Sequence, residues 1–358
     1  MVSNTSPSAD TASDNGEREL GFEFRGRAGE YFGIWIVNVL LSVITIGIYS
    51  AWAKVRRLRY FYGNTWLDGH NFEYHAKPRQ ILIGRLIVFG VLLIYNTLVH
   101  FSPAFGFLSF GFIFAFPWII NKAIRFNARM TSYRNVRFGF EGSYRGTFSV
   151  FLLWPVVVIF TLGIMTPFYT RAVSRYIYGN LHYGTAKFET TMPLSALYIN
   201  FGLSALFFLI PALAVVGLPI AYALSNGVLL SDLSIILHKI SFLLFLLIYI
   251  SISAAVLSYH AGARNIVFNG LTLDRRHRFR SSLGRLSYCW VTISNLVVVV
   301  LTFFLMRPWA AIRSWRYLIE RTSMVAVSDL GEFAGQTGGD GNVVAAEYAD
   351  IEWVNIGL

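Results

Sequence analysis

The chain has 358 residues, of which 55% are hydrophobic, 16% aromatic and 14% charged, at a mean hydropathy of +0.53. Soluble domains carry about 25% charged residues, so an ordinary water-soluble globule is excluded and the class is a polytopic membrane protein. The single cysteine, Cys289, excludes an internal disulfide and a Cys-rich metal site. The net charge of +11 hides a division, because residues 323–358 hold six acids and no Lys or Arg.

Residues 1–19 are rich in Ser, Thr, Asn and Asp and lack the apolar core of a signal peptide, so they read as a disordered cytoplasmic lead. Phe22-x-Phe24 alternates as a short strand does. The first apolar run, Phe32–Ala53, carries Thr45 and Gly47 near its middle, and Ala51–Tyr60 reads as a basic amphipathic helix suited to the membrane surface. A second strand pattern, Phe72-x-Tyr74, precedes two membrane-length runs, Ile81–Phe101 and Ala104–Ile124, joined by the uncharged Ser102-Pro103. The pattern then returns 116 positions later: Phe138-x-Phe140 for Phe22-x-Phe24, Thr161-Leu-Gly163 for Thr45-Ile-Gly47, Arg175-Tyr176 for Arg59-Tyr60, and Phe188-Glu189 for Phe72-Glu73. The fourth run, Thr147–Phe168, lies inside this second copy. Runs five and six, Leu197–Leu224 and Leu233–Leu257, flank Ser225–Asp232, which has no Lys or Arg. The seventh, Tyr288–Met306, belongs to a worn third copy marked by Phe268-Asn-Gly270, Thr302 and Arg316-Tyr317. The chain thus divides into a lead (1–19), repeat one (20–127), repeat two (128–262), a degenerate third copy (263–322) and an acidic tail (323–358). Tyr348, Ile351, Trp353 and Ile356 give that tail apolar anchors, so it either docks on the basic face or stays solvated.

Lys and Arg mark cytoplasmic loops. Here they cluster after runs one, three, four, six and seven. Seven simple crossings would place basic loops on both sides. If runs one, four and seven dip in and return, every basic cluster stays inside, and only Ser102-Pro103 and Ser225–Asp232 face out. The rival is inverted repeats with three crossings each, as in many secondary transporters. The expected fold is an all-α polytopic membrane protein: an internally repeated helical bundle with short cytoplasmic β-strands flanking the repeat hairpins.

The run Thr45-Ile-Gly-Ile-Tyr49-Ser-Ala-Trp52-Ala-Lys54-Val-Arg56, with Leu67-Asp68-Gly69 and Phe72-Glu-Tyr74, resembles the YjgN-like bacterial inner-membrane family, a domain of unknown function. The likeness spans nearly the whole chain, including Glu347-Tyr-Ala-Asp350. It departs at Met165-Thr-Pro167-Phe168, and the third copy lacks the Gly. The resemblance implies a place in the bacterial inner membrane, to which the apolar runs and charge pattern add the expectation of a multi-pass chain with its N-terminus cytoplasmic. It implies no catalytic residue, substrate or cofactor.

No nucleophile triad, phosphate loop or zinc spacing is present, so the chain is expected not to be an enzyme and to hold no cofactor or metal. His70 and His75 lack the Cys or carboxylate pair that would complete a metal site. His238 and Lys239 are membrane-depth ligand candidates if they lie inside the sixth run, and interfacial residues if its helix begins at Ile240. Arg56 and the recurring Arg59, Arg175 and Arg316 either fix the geometry of each copy or hold anionic lipid headgroups. Arg275–Arg280 is basic enough to touch nucleic acid, but a membrane setting favours lipid. Asn38, Asn96, Asn121, Asn200 and Asn295 are expected to bind neighbouring helices. The expected partners are the bilayer and its anionic lipids, not nucleic acid, with oligomeric state open. Two functions follow: transport or permeation of a small solute or lipid, and a non-transport scaffold that binds lipid or a partner protein through basic segments.

Overall fold

The structure is a computed structural model that describes residues 17–227 and 241–338. Its strands are β1 Arg18–Gly21, β2 Glu23–Phe24, β3 Thr65–Leu67, β4 His70–Tyr74, β5 Thr131–Tyr133, β6 Val136–Phe140, β7 Leu181–Tyr183, β8 Ala186–Thr190, β9 Leu271–Leu273, β10 His277–Ser281 and β11 Thr322–Ala326. They form one antiparallel sheet in the order β1-β11-β10-β9-β8-β7-β6-β5-β4-β3-β2. Its two end strands are neighbours in the chain, with only Phe22 between them. The Phe22 N–H donates to Thr322 O (3.1 Å) and the Arg25 N–H to Asn64 O (2.9 Å). Segment 18–25 therefore pairs with β11 on one side and β3 on the other, and the sheet closes into a near-barrel that leaves no long free edge.

This overturns the expected all-α bundle with short strands flanking each hairpin. The strands do not form separate small sheets; eleven of them share one. The signal was weak because no strand exceeds five residues. Period-two patterns that short are hard to tell from loop. The turns between paired strands use left-handed backbone at Asp68-Gly69, Arg134-Asn135, Gly184 and Asp274-Arg275, and none is an Asn-Gly pair.

The barrel is filled. Tyr133, Tyr183, Phe188, Leu273 and Met324 form its buried core, with Phe72, Phe138 and Phe279 packed against them. Each buried phenol finds a backbone acceptor: Tyr133 Oη donates to Leu67 O (2.8 Å) and Tyr183 Oη to Tyr133 O (2.9 Å). Burial raises both phenol pKa values. The beginning of the acidic tail lies in this core. β11 completes the sheet, and a helix over Leu330–Thr337 inserts Leu330, Phe333 and Ala334 into the cluster. Asp329 caps that helix by accepting from the Gly331 and Glu332 N–H groups (2.7 and 3.1 Å), which holds its carboxyl below the usual range. Gly184 (φ +56°) runs so close to Thr337 O that a Cβ there would collide with it. The tail's apolar anchors at 348–356 lie outside the described residues.

The remaining helices are α1 Ala28–Ile44, α2 Ser50–Gly63, α3 Pro78–Phe101, α4 Ser109–Arg129, α5 Tyr144–Phe160 (with a π turn at Ser149–Leu153), α6 Thr166–Gly179, α7 Leu194–Asn226, α8 Ser241–Asn269, α9 Arg285–Leu301 and α10 Arg307–Glu320. They come as five pairs, each inserted between two antiparallel neighbours: β2 and β3, β4 and β5, β6 and β7, β8 and β9, β10 and β11. Every pair therefore leaves and re-enters at one end of the sheet, and the strand turns lie at the other. The helices also pack in strand order, and the ring closes where α10 meets α1.

Two pairs are long. Pro78–Phe101, Pro103–Arg129, Leu194–Asn226 and Leu244–Asn269 are long and apolar enough to cross a membrane. In the other three, an apolar helix of 17 residues is followed by a five-residue turn and a 14-residue helix: α1 and α2, α5 and α6, α9 and α10. Seventeen residues rise about 26 Å, short of a hydrocarbon core of about 30 Å. Apolar runs one, four and seven thus turn back within themselves. The turns repeat in detail. Thr45 Oγ1 donates to Leu41 O (2.7 Å) and accepts from the Tyr49 N–H (2.9 Å); Thr161 and Thr302 do the same with Val157 and Met165, and with Val298 and Met306. The backbone passes through positive φ at Ile46-Gly47, Leu162-Gly163 and Phe303-Phe304. The turns satisfy much of their backbone locally, as burial in lipid requires. Their tips are bare, with Ile46 94%, Leu162 92% and Phe303 88% exposed.

Candidate functional site

The 14-residue helices α2, α6 and α10 carry the recurring arginines, and the structure gives those arginines different work. Arg59 donates to Tyr74 O (3.3 Å) and Ala76 O (3.1 Å), pinning α2 to the end of β4. Arg56 is exposed on α2 and reaches Tyr49 Oη at 3.1 Å. Arg175 is exposed and has no hydrogen-bond partner among the described residues. Arg316 donates to Gly26 O at 2.8 Å, tying α10 to the segment that opens α1. His238 and Lys239 lie outside the described residues, as does Asp232. On α2, burial lowers the pKa of Lys54, with Arg85 and Arg57 pushing the same way. Arg85 itself bonds Ser50 Oγ at the start of α2.

Positions 313 and 316 are three apart on α10 and share a face. Together with Trp309, Ile312, Tyr317 and Glu320 they line a groove of about 320 Å³, facing Ala28 of α1 and Val291 of α9. Arg313 donates through Nη1 to Ser294 Oγ (2.7 Å) and Asn295 Oδ1 (2.8 Å), and its guanidinium sits 5.2 Å from the Trp309 ring. Arg316 Nε stands 3.8 Å from Glu320, too long for a hydrogen bond. Tyr317 Oη donates to Gly284 O (3.3 Å). Sequence reasoning gathered Arg313 into a basic cluster without singling it out. The available signal was its register, because α10 aligned on α2 places Arg313 over Arg56 and Arg316 over Arg59.

Other basic residues turn out to be structural. Arg264 donates to Ser281 Oγ (2.7 Å), Leu318 O (3.3 Å) and Thr322 Oγ1 (2.9 Å), joining α8, β10, α10 and β11. Arg285 links α9 to Ser204 of α7 and Ser258 of α8. Arg275 and Arg276 sit at a strand turn, at the sheet end away from the helices, where Arg275 pairs with Glu189 at 2.8 Å. Arg278 and Arg280 of the same stretch lie on β10, and Arg280 pairs with Glu19 at 3.3 Å. Asn121, Asn200 and Asn295 bond neighbouring segments, through Gly142 O, Tyr259 O and Ala310 O respectively. Asn96 bonds only Leu92 of its own helix, and Asn38 is buried with its side-chain oxygen unpaired. Cys289 is free and buried, its Sγ 3.7 Å from Ala254 O. His75 contacts Ser132 Oγ (2.7 Å) and Glu73 (3.4 Å), and no group of three metal-ligating side chains occurs among the described residues.

A family of bacterial proteins of unknown function, DUF898, matches residues 19–351. Inner membrane protein YjgN of Salmonella typhimurium is 28% identical over 378 residues, which cover 94% of each chain. The protein of the same name in Escherichia coli O157:H7 is 26% identical over 339 residues, covering 80% of this chain and 85% of the relative. That of Escherichia coli K12 is 33% identical over 144 residues, covering 40% and 36%. No solved structure matches.

Proposed function

This chain belongs to the bacterial DUF898 family, and we propose that it is a non-catalytic, multi-pass scaffold of the inner membrane that holds anionic lipid against a cytoplasmic β-barrel. One observation carries the reading: all five helical pairs leave and re-enter at the same end of the closed sheet. In that arrangement two pairs span the bilayer and three dip into one leaflet as descendants of one repeated unit. The sheet, the N-terminal segment and nearly every Lys and Arg then lie on one side, which the positive-inside tendency makes the cytoplasm. The relatives' description as inner membrane proteins agrees with this siting. The later halves of the three 14-residue helices, next to the sheet, lie at the depth of the headgroups, where each exposed cation attracts anionic lipid by about 1 kcal/mol. A transport role calls for a polar path between the copies. Here the sheet interior at the base of the helices is filled by aromatic side chains, and the long helices are apolar along their length, which favours the scaffold.

The test is accessibility. Single cysteines at Ser102, Ser225 and Thr185, in a Cys289→Ser background, are probed in whole spheroplasts with a membrane-impermeant maleimide. Positions 102 and 225 are expected to label, and 185, on a strand turn, to label only after lysis. Labelling at 185 from outside overturns the common-side arrangement and restores an inverted, transporter-like topology.

A further inference from the structure

The groove between α10, α1 and α9 has features that Arg56 and Arg175 lack. A guanidinium carries five N–H donors in a rigid fork. In Arg313 the two on Nη1 are taken by Ser294 and Asn295, and in Arg316 one on Nη2 is taken by Gly26 O. Both side chains are thus fixed along one edge, and the other edge has no hydrogen-bond partner among the described residues. Two oriented guanidiniums with free donors suit a tetrahedral oxyanion, which bonds to both without further ordering of the protein. The rest of the lining, Ala28, Val291, Ile312 and the Trp309 ring, is apolar or aromatic. A volume of about 320 Å³ is at the small end of ligand pockets. It suits a headgroup and the first stretch of a chain, not a whole lipid. Arg307 and Arg57 act on Tyr31 of α1, and Glu30 opposes them nearby, where it acts on Tyr60 together with Arg316.

We infer that this groove binds one phosphate-bearing amphiphile, with the phosphate between Arg313 and Arg316 and the glycerol and upper chain against Val291 and Ile312. The inference rests on the scaffold reading and names the ligand class of one place within it. The copies are not equivalent here. The second has Ala172 in the place of Arg313, and the first turns Arg56 towards Tyr49 Oη. One tight site is therefore expected on a background of looser headgroup contacts. Glu320 competes with the phosphate for Arg316, since its carboxylate stands 3.8 Å from Nε.

Native mass spectrometry of the purified full-length chain tests this, with phosphatidylglycerol and with dioleoylglycerol, which has no phosphate. The wild type is expected to retain one phosphatidylglycerol and no dioleoylglycerol under activation that strips the remaining lipid. Arg313→Gln lowers the retained fraction about fivefold, as loss of one cation's attraction of about 1 kcal/mol implies, and the groove-filling Val291→Trp, which keeps both charges, lowers it as well. Glu320→Gln raises it. A melting temperature matching the wild type shows which variants are folded, and Val291→Trp serves if Arg313→Gln is not. Retention that 10 mM glycerol 3-phosphate cannot displace assigns the phosphate to a lipid; displacement assigns it to a soluble phosphoester and overturns the chain contact. Equal retention of dioleoylglycerol, or unchanged retention in both variants, overturns the site. An Arg56/Arg57/Arg175→Gln variant separates the two levels. If it loses its general enrichment for phosphatidylglycerol while the groove variants change nothing, the scaffold reading stands without this site.

Discussion

His277 is fully buried in the sheet core, and neither ring nitrogen has a hydrogen-bond partner among the described residues. Its ring meets Phe333 of the Leu330–Thr337 helix edge-on, with centroids 4.5 Å apart. Burial is the main cause that lowers its pKa; Arg276 adds to the effect and Asp274 opposes it. The unfolded chain takes up a proton as pH falls through about 6.5, while the folded chain resists. Stability is therefore complete above that pH and declines below it. Thermal unfolding in detergent is expected to show a melting temperature that falls between pH 7 and 5. His277→Leu should flatten the fall only in part, because burial shifts His75 and His182 the same way. An unaltered slope in His277→Leu would mean that the ring is hydrated. Nothing in the sequence marked this histidine, which stood among arginines in a stretch read as a lipid or nucleic-acid contact. Strand alternation sends Arg278 and Arg280 outward and buries 277.

The turns of the three short helical pairs were the most legible elements, because their chemistry is local. A Thr that bonds back four residues and accepts from four residues ahead, followed by left-handed backbone, can be read from Thr45-Ile-Gly47 and Thr161-Leu-Gly163 alone. The third copy lacks Gly, yet its backbone follows the same course, with Phe304 at φ +68° where Gly47 and Gly163 stand at +86° and +87°. A left-handed non-glycine residue costs about 1–2 kcal/mol, so Phe304 is held there by the pattern around it. Phe304→Gly is expected to raise stability by about 1 kcal/mol, and Gly163→Phe to lower it by about as much. Chemical unfolding in mixed micelles reads both. Opposite signs would show that the third turn has its own geometry. The sheet was not legible in this way. Its partners are far apart in sequence, and strands of two to five residues announce no pairing by themselves. The groove was hidden for the same reason: Ala28 and Arg313 come together only once the ring has closed.

At the scale of the whole molecule, sheet and ring close at the same place. β11 joins β1 to β10, and α10 meets α1. A stop after Arg321 removes β11, which leaves β1 without its strand partner and β10 paired on the β9 side alone, whereas a stop after Gly338 keeps every described strand. Limited proteolysis in native membranes should find the first truncation cut throughout the sheet, including near Arg18, and the second as resistant as the full chain. Equal resistance would show that the barrel stands without its last strand. Apolar length marked the four long helices, while the charge pattern left runs one, four and seven open between returning and crossing; the closed sheet that aligns the pairs came only from the structure.

The seam also sets an order of events during synthesis. Arg18 pairs with Ala326, so the first strand leaves the ribosome long before its partner exists. Chain growth runs at about 5–20 residues per second, and the intervening stretch of roughly 300 residues takes about 15–60 s to make. Through that interval each helical pair can form in turn, while the nascent sheet grows strand by strand with an open edge. Closure is then the last act of folding, and a chain released early would present that edge to chaperones and proteases.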